Sequence, residues 1–118
     1  MAAPNLKSPT TITGKTARYA VTTTLANALA NSAASGKVFK INSIYMTNID
    51  SVDSNGVSLT IYNGTTDFYI QISNLSPQSY GVYFTRDGYF YLEEGDSLRA
   101  VATNAGDIQL IIGYEEIS

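Results

Sequence analysis

The chain has 118 residues, 44% of them apolar, which makes one domain with enough apolar content for its own core. It contains no Cys, no His and no Trp, so Ser–His and Cys–His nucleophilic machinery is excluded, and a zinc site would lack both of its usual ligand types. The net charge of −3 conceals a division: Lys7, Lys15, Arg18, Lys37 and Lys40 precede the first acid, Asp50, and only Arg86 and Arg99 stand among the ten acids. That asymmetry predicts a basic segment meeting an acidic surface, on the chain itself, on a neighbouring copy or on another protein.

Residues 1–16 are rich in Pro, Thr and Ser, and Pro4 and Pro9 bias their neighbours toward extended backbone. They are expected to form an extended N-terminal arm ordered against a partner, followed by one β domain over 17–118. No apolar run has signal-peptide or bilayer-spanning length, so a soluble chain with no membrane partner is expected. Five basic residues in an otherwise acidic protein do not point to nucleic acid. Residues 17–23 are expected as a strand. The Ala-rich stretch 25–33 has helical spacing, but the preceding Thr22, Thr23 and Thr24 are β-branched and resist helix, so strand is preferred there too.

From Lys37 onward the apolar period is two. In the run VFKINSIYMTNI the parity changes, because Phe39 and Ile41 are odd and Ile44 and Met46 even. A bulge near Ser43, or burial on both faces, would account for it. Val57, Leu59 and Ile61 share a face, as do Phe68, Ile70 and Ile72, with the Asn63-Gly64 hairpin signal between the two runs. Val82 and Phe84, then Phe90 and Leu92, continue the pattern around an Asp87-Gly88 turn. Leu98, Ala100 and Ala102, and finally Ile108, Leu110 and Ile112, complete it. Eight or nine short strands with turn signals every ten or so residues predict an antiparallel β-sandwich or barrel.

Two features are candidates for function. Tyr62, Tyr69, Tyr83, Tyr89 and Tyr91 all fall opposite the aliphatic residues of their strands. Tyr is enriched where protein surfaces meet, although cross-strand Tyr pairs that only stabilise the sheet, or a sugar-stacking platform, would give the same pattern. The second feature is YLEEGDSLRAVAT, where Glu93, Glu94 and Asp96 flank Gly95. A catalytic carboxylate pair needs two acids facing each other across a substrate, but neighbouring residues of a strand point to opposite faces. A calcium loop needs spaced ligands; NIDSVDSNG, with Asp50 and Asp53, comes closer but also has the composition of an Asx-rich turn. A turn between two strands explains every residue, with Gly95 at positive φ and Asp96 or Ser97 bonding nearby backbone. Glu93 and Glu94 then become contact candidates and not catalysts. Nothing in the chain calls for an enzyme, a cofactor or a small-molecule substrate.

The stretches VFKINSIYMTNID, YLEEGDSLRA and the closing GYEEIS, with the opening MAAPNLKSPTTITGKTA, together resemble small virion structural proteins of tailed bacteriophages, particularly phages of marine cyanobacteria. Leu92, Gly95, Asp96 and Leu98 also look like the late turn of trimeric jelly-roll proteins, which include head-decoration (cement) proteins and fibre-tip domains. Residues 54–88 are richer in Tyr than that pattern. The resemblance implies a jelly-roll-like antiparallel β-sandwich of eight or nine strands behind an extended arm. It also implies a homo-oligomer, with a trimer favoured, that binds the major capsid protein or another virion protein on the capsid exterior. Lys7, Lys15 and Arg18 of the basic segment, the five tyrosines, Glu93 and Glu94 would be its contact residues. A tail, collar or fibre component is the alternative, and a carbohydrate-binding β-sandwich a more distant one.

Overall fold

The computed structural model describes residues 4–82 and 88–118, with side-chain surroundings given outside 79–82. Tyr83, Phe84 and Asp87, to which the alternation and the Asp87-Gly88 turn assigned roles, lie outside the described residues. The described chain is all-β. Its nine strands are β1 (Ile12–Ala20), β2 (Ala26–Ala30), β3 (Val38–Asn48), β4 (Asn55–Tyr62), β5 (Asp67–Leu75), β6 (Ser79–Val82), β7 (Phe90–Leu92), β8 (Ser97–Ala102) and β9 (Ile108–Ile117).

They form two antiparallel sheets in a sandwich-like arrangement. The first has the order β1-β9-β3, with the short strands β6 and β7 sharing the far edge of β3. The second has the order β2-β8-β4-β5. One buried cluster joins them: Phe39, Ile41, Ile44 and Met46 of β3 and Ile108, Leu110 and Ile112 of β9 from the first sheet, with Val57 and Leu59 of β4 and Leu98, Ala100 and Ala102 of β8 from the second. The two-residue period therefore has its expected cause, one face of each strand turned to a common core.

The parity change in β3 is a bulge. The β3–β9 register shifts between Ile41 and Ser43 and leaves Asn42 as the extra residue. Both Ile41 and Ile44 are thereby fully buried. The stretch 25–33 contains strand β2, as its β-branched approach predicted, with its own register shift between Asn27 and Leu29.

Two expectations need revision. The first strand starts at Ile12, so the last five residues of the expected arm, 12–16, pair with β9 at the sheet edge. Thr10 and Thr11 extend that edge by donating to the Ser118 carbonyl at 2.7 and 3.1 Å. The second revision concerns β5. Phe68 and Ile72 do not share a buried face with Ile70, because they are 58% and 71% exposed. The register against β4 passes from Leu59–Gln71 to Thr60–Tyr69, so Ile70 is an extra residue. One extra residue reverses every side chain beyond it. Ile72 lands on the outer face opposite Ser58, and Gln71 and Ser73 take the inner one.

Three buried asparagines hold the loops. The Asn31 side chain donates to the carbonyls of Lys37 (2.9 Å) and Leu92 (3.1 Å) and accepts from the Ser35 hydroxyl (2.7 Å). At the opposite end Asn48 donates to the carbonyls of Asp53, Leu75 and Ser76 and accepts the Asp50 N–H. Asn55 exchanges bonds with the backbone of Asn104. An amide carries both donor and acceptor, so it can satisfy loop backbone that neither sheet reaches.

Candidate interaction surface

The acidic stretch after β7 is a turn. Leu92 ends β7 and Ser97 begins β8, and Gly95 has φ of 87°, a left-handed conformation that favours glycine. Asp96 Oδ2 accepts the Glu93 N–H at 3.0 Å, and the Asp96 N–H donates to the Glu93 carbonyl at 3.0 Å. The turn is tied to the β2–β3 loop by Gly95 N–H to Asn31 O and Asn31 N–H to Asp96 O, both 2.9 Å. Glu94 accepts the Gly36 N–H at 3.2 Å. The Glu94 carboxylate therefore clamps two loops together, and Glu93 is exposed. The groove of about 410 Å³ beside it is lined by Pro4, Leu6, Val38, Phe90, Tyr91 and Glu93.

The Asp50 loop has the same character. Asp50 Oδ1 accepts the N–H groups of Val52 (2.8 Å) and Asp53 (3.1 Å), which hold its carboxyl below the usual range. Among the described residues no three His, Cys, Asp or Glu side chains are grouped to hold a metal ion.

The basic segment meets acid within its own chain. Lys15 and Lys37 both bond Glu116 on β9, Lys15 at 2.9 Å. Hydrogen bonds from Lys37 and then Lys15 hold the Glu116 carboxyl low, and the bond to Glu116 raises Lys15. Lys15 is therefore already partnered. Lys7 and Arg18 are exposed.

The tyrosines do not form one surface. Tyr62 and Tyr69 belong to the second sheet, whereas Tyr89 and Tyr91 lie against the first. Tyr62 lies under the Arg99 guanidinium at 4.2 Å and donates to the Gly64 carbonyl at 3.0 Å. Arg99 also pairs with Asp67 (3.2 Å) and donates to the Leu25 carbonyl (3.2 Å), and Asp67 accepts the Thr60 hydroxyl (2.8 Å). This constellation packs the outer face of the second sheet. Tyr69 is exposed beside it, with Ile72 on the same face of β5. Tyr89 and Tyr91 meet edge to face at 5.7 Å, and the Lys40 ammonium stands 4.2 Å from the Tyr89 ring.

Sequence reasoning did not select the row that crosses the first sheet at its outer face. The register puts Arg18 of β1 beside Ile111 of β9, and Ile111 beside Tyr45 of β3. Ile111 is 48% and Tyr45 43% exposed. Outward parity was the available signal for both, but neither lies in the stretches first singled out for their tyrosines. Also unselected was the loop 49–54, which exposes Ile49 and Val52, the latter at 76%.

The sequence matches no protein-family model, and a search of curated proteins gives no match.

Proposed function

We propose that the fold is a jelly roll and that the chain is a non-enzymatic structural protein of a phage virion. In this reading it is a decoration protein that assembles with copies of itself, as a trimer, on the outer surface of the head. The observation that carries the reading is the strand order. One sheet holds strands one, nine and three with β6 and β7, and the other holds two, eight, four and five. Two interleaved Greek keys generate that interleaving, and jelly rolls of this kind recur in viral capsid and lectin domains.

Of those two settings the outer faces favour assembly over sugar binding. A stacking platform needs bare aromatic faces side by side, but the Tyr62 and Tyr89 rings each already carry a cation 4.2 Å from their centroids, and the open Tyr69 and Tyr45 lie on different sheets. Side chains that stand open on the outer faces, among them Ile72, Tyr69, Ile111 and Tyr45, are apolar or amphipathic and lie on sheet strands. Surfaces of that composition suit rigid protein partners. A protein that binds only the assembled shell stabilises it by mass action and needs no chemistry of its own.

The test is immunogold labelling of intact virions with an antibody raised against the purified chain. Regular labelling of heads is the expected result. Labelling confined to tails or fibres would move the protein to the alternative position on the particle, and virions that never label would end the virion reading.

A further inference from the structure

The outer face of the first sheet carries cations and apolar side chains side by side. Arg18, Ile111 and Tyr45 form one row across three strands. Further along β3, Lys40 stands over Tyr89. Among the described residues the acid on this face is Glu115, the register partner of Lys40, and it accepts a hydrogen bond from Asn42 at 3.0 Å. Among the described residues Arg18 and Lys40 have no carboxylate partner.

One end of the same molecule has the complementary character. The loops 21–25, 49–54, 76–78 and 103–107 meet there and contain Asp50, Asp53 and Asp107 but no Lys or Arg. Asp107 is pushed up by desolvation and then by the Asp50 charge beside it, and none of these four loops supplies a cation to relieve that repulsion. Ile49 and Val52 project from the same end. The 49–54 loop is held in shape on all sides. Asp50 bonds two N–H groups, Asn48 brackets Asp50 and Asp53, the Gln78 N–H donates to the Asp50 carbonyl at 3.0 Å, and the Ile49 N–H donates to the Asp107 carbonyl at 2.8 Å.

We infer that the Arg18–Ile111–Tyr45 face of one copy is the docking surface for the 49–54 loop of a second copy. Val52 is the apolar anchor, set between Ile111 and Tyr45, and Arg18 answers Asp53. A loop that is already rigid loses little freedom on docking. An apolar side chain surrounded by complementary charge gives both an anchor and a register. The contact joins two different patches, so it is heterologous, and it closes into a ring or continues as a filament according to the rotation between copies. The inference rests on the reading that the chain assembles with itself, and it specifies which surfaces meet.

The experiment is sedimentation equilibrium of the full chain at low and high salt, with circular dichroism as the control for folding. The wild type is expected to associate, and more weakly at high salt. Arg18→Glu and Asp53→Lys, made separately, should each weaken association by about 10-fold or more. Both changes in one chain should restore association, because reversed face then meets reversed loop at every contact. Val52→Ser should weaken it without changing the salt dependence. Folded single variants that associate like wild type, or a double variant that is not rescued, would overturn the contact while leaving self-assembly standing. Association lost in Ile72→Thr and untouched in Arg18→Glu would instead place the interface on β5. A wild type that stays monomeric at every concentration would remove both this contact and the assembly reading.

Discussion

Gly113 of β9 lies directly against Ser43 of β3, so close that a Cβ on Gly113 would stand 2.8 Å from the Ser43 hydroxyl oxygen. The two residues are register partners immediately after the β3 bulge. Gly in a strand interior costs roughly 0.5–1 kcal/mol relative to Ala. At this position, the close approach opposes that gain. Gly113→Ala is therefore expected to be neutral to destabilising in the wild type and stabilising by about 0.5–1 kcal/mol in a Ser43→Ala background. A double-mutant cycle by denaturant unfolding checks this, and additive single effects would mean that the contact does not govern the site.

Asn48 is fully buried and bonds three carbonyls with one amide nitrogen. Asn48→Ala leaves those carbonyls short of a donor and should cost about 2–4 kcal/mol, at 1–3 kcal/mol for an unsatisfied buried group. Asn48→Asp should cost more, since it turns a carboxylate oxygen toward the same carbonyls. Equal stability of the two variants in urea would contradict this account of the bracket.

On β5 the structure and the alternating pattern make opposite forecasts. Ile72→Thr should change stability by no more than about 0.5 kcal/mol, as for a surface position, and Leu59→Ala, across the β4–β5 ladder, should cost about 2–5 kcal/mol. The simple two-residue period would have made Ile72 as costly as Leu59. Thermal melts of the two variants decide between them.

The carboxylates make opposing contributions to acid stability. Glu116 and Asp50 are held low in the folded chain, so their contributions are complete above the ordinary carboxylate range and fade as pH falls through the lowered values. Asp107 is raised. Its contribution is complete below its ordinary value and is lost as pH rises through the raised one. Glu116→Gln should therefore lower Tm at neutral pH and flatten its decline in acid. Asp107→Asn should raise Tm at neutral pH, by removing the repulsion with Asp50. Melts from neutral pH into the acid range read both, and an Asp107→Asn variant that is less stable at neutral pH would reverse the assignment.

These residues show why some features could be read from the sequence and others could not. Ile41 and Ile44 lie three positions apart in one long strand-like run, so their opposite parity called for a bulge or burial on both faces, and the β3 bulge was one of the two readings available in advance. Phe68, Ile70 and Ile72 alternate without fault, and their bulge follows from how β5 matches β4, which no local pattern records. Gly95 was legible because a glycine between the strand ends Leu92 and Leu98 marks a turn that takes a positive φ. Asn31 and Asn48 were not, because Asn in a loop usually marks a turn, and only the assembled structure turns these two inward. The outward orientation of Tyr62, Tyr69 and Tyr91 could be read from the two-residue period. Their division between two sheets depends on strand order, and strand order is set by contacts far apart in the chain.

That dependence is sharpest at β9. It lies between β1 and β3 along almost its whole length, although residues 108–117 come almost a hundred positions after β1 begins. On a translating ribosome, β1 and β3 have no common partner until residues 108–117 leave the exit tunnel. The first sheet therefore completes as a late and non-local event. Until then the core-facing isoleucines of β3 are open to whatever the nascent chain meets.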